Sequence, residues 1–126
     1  MMTDWQEFEG GQVGARYLRT RVTLNVEGCF YIGRKAFEAL GMPEAVNLYF
    51  DAGGSRVGVK AVPSGEKTFK VVHSSQAKGR YGHLRAATFC RHYGIIPEAR
   101  IEFQDVHIDA DGMMVLDLKT VRRVMR

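Results

Sequence analysis

From Leu18 onward apolar and polar residues take turns. Leu18, Thr20, Val22, Leu24 and Val26 fall on one face of an extended chain, and Tyr17, Arg19, Arg21, Thr23 and Asn25 on the other. A period of two with one apolar face predicts a half-buried strand. Glu27-Gly28 marks a turn, and Phe30-Tyr31-Ile32 reads as a second short strand. The period then lengthens. Ala36, Phe37 and Leu40 share one side of a short helix over 34–40, with Arg34, Lys35 and Glu38 outside. Gly41 suits the stop position, and Pro43 bars continuation. Val46, Leu48 and Phe50 alternate as a strand. Residues 51–55 (Asp-Ala-Gly-Gly-Ser) have hairpin-turn composition, and Val57, Val59 and Ala61 form the return strand.

The second half is punctuated in the same way. Phe69, Val71 and His73 predict a strand, and 74–79 a polar loop. Ala86, Phe89, Cys90 and Tyr93 then recur at i, i+3, i+4 and i+7, a helical stripe that stops at Gly94 before Pro97. Ile101 and Phe103 begin a strand that Val106 and Ile108 extend past an irregularity. Asp109-Ala110-Asp111-Gly112 is a turn, and Met113 to Leu118 returns from it. Leu118, Val121 and Met125 predict one side of a short basic C-terminal helix. Both helices are followed by Gly and then by Pro-Glu-Ala, at Pro43-Glu44-Ala45 and Pro97-Glu98-Ala99. With Phe37 and Phe89 opening the matched segments, this predicts an internal repeat over 18–62 and 67–118. A unit that small cannot bury its own apolar face, so the two copies are expected to share one core as a single domain. Residues 1–17 are expected to form a tail with Trp5 and Phe8 as candidate anchors, and 119–126 a basic C-terminal segment.

Composition narrows the function. The 126 residues are 45% hydrophobic and 25% charged, ordinary values for a globular chain. No window is long and apolar enough to span a bilayer, so no membrane partner is expected. Met1 to Gly14 holds Asp4, Glu7 and Glu9 and no apolar core, unlike a signal peptide. Cys29 and Cys90 are too few for a disulfide framework, which makes free thiols in the cytoplasm the expectation. The net charge is +4, and the basic residues are grouped: Arg16, Arg19 and Arg21; then Lys67, Lys70, Lys78, Arg80 and Arg85; then Lys119, Arg122, Arg123 and Arg126. Such grouping permits a polyanionic partner.

Enzymatic and metal-binding patterns are poor. Cys90-Arg91-His92 offers two ligands where zinc takes three or four, and Cys90 lies on an apolar helix stripe. The Asp109–Gly112 turn lacks the remaining ligands and distal Glu of a calcium loop. Gly53-Gly54 precedes no Lys-Ser/Thr, and Ser74 and Ser75 sit in no nucleophile elbow. The expectation is a non-enzyme without metal or cofactor. Arg19 and Arg21 leave one face of their strand about 7 Å apart, a spacing suited to neighbouring phosphates.

The stretch from Arg21 to Ala61 has a particular order: Val22-Thr23-Leu24, then Gly28-Cys29-Phe30-Tyr31-Ile32-Gly33, then a helix ending Leu40-Gly41, then a hairpin. This layout resembles the swapped-hairpin module of the AbrB, SpoVT and MazE proteins, and its tandem form resembles MraZ. Lys78-Gly79-Arg80 resembles that family's basic-Gly-Arg turn. Glu27-Gly28-Cys29 departs from it, as does Gly33 where the family favours proline. The resemblance implies a mainly β chain with short helices (α+β), arranged as a tandem swapped-hairpin-like pseudo-dimer. It also implies a homo-oligomeric protein that binds double-stranded DNA, with a role in transcription regulation. Arg19, Arg21, Lys78, Arg80 and Arg85 are the expected DNA contacts. The alternative is a non-catalytic interaction or oligomer-forming module that retains the fold without DNA binding, which the altered Glu27-Gly28-Cys29 turn favours.

Overall fold

A computed structural model describes residues 21–74 and 81–124. The predicted tail over 1–17 and most of the predicted loop over 74–79 lie outside the described residues. Eleven strands and two short α-helices are described, so the molecule is mainly β. In chain order these are β1 (Val22–Leu24), β2 (Cys29–Ile32), α1 (Arg34–Ala39), β3 (Ala45–Asp51), β4 (Arg56–Ala61), β5 (Phe69–Lys70), β6 (Val72–Ser74), β7 (Tyr81–Arg85), α2 (Ala87–Tyr93), β8 (Ile101–Phe103), β9 (Val106–Ile108), β10 (Met114–Asp117) and β11 (Val121–Arg123). They form a six-stranded sheet in the order β11-β8-β1-β2-β7-β6 and a five-stranded sheet in the order β5-β3-β4-β10-β9. Every pairing is antiparallel.

The inner faces of the sheets enclose the core. Val22, Leu24, Phe30, Ile32, Leu84 and Phe103 come from the larger sheet, and Val46, Val57, Val59, Met114 and Leu116 from the smaller. Two segments serve both sheets. After β5, the Val71 N–H donates to the Glu44 carbonyl at 3.0 Å, and the strand resumes as β6 beside β7. The predicted 101–108 strand likewise breaks at Gln104-Asp105, and its two pieces join different sheets. The irregularity expected there is the crossing point.

Neither helix has a side-chain N-cap. Burial holds them instead, through Ala36 and Phe37 in α1 and Phe89 and Cys90 in α2. Their C-termini share one motif. The Gly41 N–H donates to Glu38 at 3.0 Å and Met42 to Phe37 at 2.9 Å; Gly94 donates to Arg91 at 3.3 Å and Ile95 to Cys90 at 2.8 Å. Both glycines have positive φ, +88° and +71°, where a side chain would be strained. These bonds match Phe37 with Cys90, one residue from the Phe37–Phe89 alignment that the sequence suggests. The second half carries its extra residue at the helix entry, where Arg85 still belongs to β7.

Two elements differ from expectation. Strand β7, unrecognised in the sequence, is an interior strand of the larger sheet, between β2 and β6. The predicted C-terminal helix is instead a 3-10 turn, Leu118–Thr120, followed by β11. The edge of β8 accounts for this. Val121, Arg122 and Arg123 pair with Phe103, Glu102 and Ile101, and a helix would leave those β8 backbone groups without partners.

Candidate functional site

The outer face of the six-stranded sheet is polar, and the strand registers lay it out. One row crosses all six strands: Arg122, Glu102, Thr23, Tyr31, His83 and Val72. The Glu102 carboxylate is buried on this face, and the Arg122 guanidinium donates to it at 2.5 Å. One step along the strands, Cys29 faces Arg85.

The β1–β2 turn rests on the start of α2. The Asn25 side chain accepts from the Glu27 and Cys29 N–H groups at 2.9 and 3.0 Å, an Asx turn. The Gly28 carbonyl then accepts from the Ala86 N–H at 2.8 Å. Gly28 has φ +86°, and a Cβ there would lie 2.8 Å from the Ala87 Cα. Backbone shape and close packing therefore both require glycine at this turn.

A cleft of about 1000 Å³ opens on this face. Strands β1, β2 and β7 supply Thr23, Tyr31, His83 and Arg85, and the residues flanking β1 supply Arg21 and Asn25; Arg34 and Lys35 enter from the start of α1, and Arg100 from the approach to β8. Five Lys and Arg side chains line it, against one acid, Glu27. Arg34 makes an exposed ion pair with Glu38 at 3.3 Å, the kind that contributes little to stability. Among the described residues, Arg21, Lys35, Arg85 and Arg100 have no acidic partner. Burial, then the neighbouring Tyr81, push the Tyr31 phenol above its ordinary value, while Arg21 pulls it the other way.

Of the five residues expected to contact DNA, Arg21 and Arg85 meet in this cleft. Arg19, Lys78 and Arg80 lie outside the described residues. Sequence reading missed Arg34, Lys35, Arg100, Tyr31 and His83 as members of one surface. The alternation that exposed Arg21 could have flagged Tyr31, whereas His83 needed β7 to be recognised. The described C-terminal basic residues do not line the cleft and face acids instead. Lys119 lies 3.2 Å from Asp117, Arg122 2.5 Å from Glu102 and Arg123 4.0 Å from Glu98. Among the described residues no three His, Cys, Asp or Glu side chains converge to hold a metal ion, and no helix is long and apolar enough to cross a membrane. No protein-family model, curated protein or solved structure matches this chain.

Proposed function

We propose that this chain is a DNA-binding module and that the outer face of its six-stranded sheet is the binding surface. One observation carries the reading: five cationic side chains converge on a single cleft that holds one acid. Arg21 directly precedes β1 and Arg85 ends β7, with β2 between them, about 10 Å apart across the strands and about 13 Å along them. That diagonal is too wide for neighbouring phosphates of one strand. At about 16 Å it suits phosphates set well apart on a bound nucleic acid. Arg34, Lys35 and Arg100 extend the same charge. The resemblance to tandem swapped-hairpin proteins supports the reading, and the interior β2–β7 and β4–β10 pairs fit such a pseudo-dimer.

The test is a mobility shift of labelled duplex at several salt concentrations. Replacing Arg21 and Arg85 together by Ala should weaken binding and flatten the slope of log affinity against log salt by about 0.9 per lost phosphate contact. Lys60 and Lys67, both exposed and outside the cleft, supply a charge-matched control pair. Equal weakening by both double variants would mean general charge attraction. No binding of any nucleic acid by the intact protein at low salt would overturn the proposal.

A second reading, self-association, has its own observation. Tyr93 packs between Phe50 and Phe89, with ring centroids 4.7 and 5.1 Å away, yet Tyr93 is 44% exposed and Ile96 69%. Sedimentation equilibrium should then show an oligomer that Ile96→Lys splits; a monomeric intact protein would remove this reading.

A further inference from the structure

The cleft lining includes the aromatic ring of Tyr31. Tyr31 and Tyr81 stand on the neighbouring strands β2 and β7, with ring centroids 4.6 Å apart and planes inclined by 33°. Tyr31 is 37% exposed, although its neighbours across both flanking strands are in place. Thr23 on one side of it is buried, and His83 on the other is half-buried. Tyr81 therefore lies against one side of the Tyr31 ring, and more than a third of Tyr31 stays open to solvent at the cleft. Arg21 is close enough to act on its phenol.

Cations around an open aromatic ring are matched to a ligand with negative charge and a flat π-face. Phosphate contacts alone explain the cations and leave the ring without a task. In a duplex both faces of each base are covered by stacking, so a protein ring can stack only on a base that is unpaired or displaced. We propose that Tyr31 is a stacking platform for an unpaired base, so that this face takes single-stranded nucleic acid in preference to duplex. The inference rests on the nucleic-acid reading above and specifies the form of its ligand. Tyr81 is the positioning residue that fixes the Tyr31 ring, and Arg21 and Arg85 hold the backbone on either side.

The experiment is fluorescence anisotropy with a labelled oligothymidylate of about twelve nucleotides, within the usual range of single-strand site sizes, and a duplex of the same length. The intact protein should hold the single strand more tightly. Tyr31→Ala should weaken the single strand about tenfold or more, leave the duplex within about twofold, and be rescued by Tyr31→Phe, which keeps the ring. Should Tyr31→Ala fail to fold, Tyr31→Leu keeps apolar bulk without a π-face and should show the same selective loss. A tighter grip on duplex than on single strand by the intact protein would overturn the inference. So would equal losses on both ligands, or no loss on either, and in these cases phosphate binding stands. Absence of binding to both probes at low salt would overturn the nucleic-acid reading together with the inference.

Discussion

Glu102 shows how a single side chain ties the polar face to the fold. Its carboxylate is 6% exposed, and its ion-pair partner Arg122 stands on the last described strand, 61% exposed. Losing one member of a fully buried pair costs about 3–5 kcal/mol; an arginine this exposed leaves water near the acid, so Arg122→Ala should cost about 1–2 kcal/mol in urea unfolding. Adding Glu102→Gln should recover part of that loss. Cys90 makes a pH-dependent contribution. Burial, with the nearby Cys29 adding, pushes its thiol from 9.0 up to about 11. The folded state therefore favours the protonated thiol. The stability this contributes is present below about pH 9 and is lost as pH rises toward about 11. Urea midpoints should fall more steeply over that window for the intact protein than for Cys90→Ala. Alkylation near neutral pH should mark Cys29 well before Cys90, because the thiolate is the nucleophile.

At the scale of elements, β7 is the instructive case. Its sequence, Tyr81-Gly82-His83-Leu84-Arg85, alternates as a half-buried strand should, but one inward position is glycine. A Cβ on Gly82 would lie 2.7 Å from Val71 Cγ1 and 2.9 Å from Phe37 Cε1. The missing side chain is the space that the Phe37 ring occupies. Gly82→Ala should therefore overpack the core and cost about 1–3 kcal/mol, while Phe37→Ala should cost about 3–5 kcal/mol; thermal and urea unfolding measure both. This also explains what was legible in the chain. Helices with apolar stripes and glycine stops, and the β3–β4 hairpin with its Gly-Gly turn, are written locally and could be read. Strand β7 lacked one of its apolar marks. Strand β11 has three residues, and Val-Arg-Arg carries no alternation, so only the open edge of β8 decides its form. The cleft was half legible for a related reason. Arg21 showed itself through its own strand and Arg85 through the basic group around the second turn, but Arg34, Lys35 and Arg100 reach it from other elements far apart in sequence. No local pattern marks residues that only the strand order brings together.

At the scale of the whole molecule, neither half contains a complete sheet. The first supplies β1 and β2 to the larger sheet and β3 and β4 to the smaller; the second supplies β7 and β8 to one and β9 and β10 to the other. A chain ending near residue 64 should therefore give little cooperative unfolding by circular dichroism. Mixing it with a chain beginning there should restore a single transition. A stable, monomeric first half would contradict the shared core. The same division governs how the protein forms on the ribosome. Cys29 waits for Arg85 and Val59 for Met114, partners about fifty-five residues downstream. At 5–20 residues per second that interval lasts roughly 3 to 11 s. Throughout it the edges of β2 and β4 stand open, and any neighbouring nascent copy presents the same two edges. Crowded translation should thus yield some molecules whose halves come from different chains, in a fraction that rises with protein concentration during refolding.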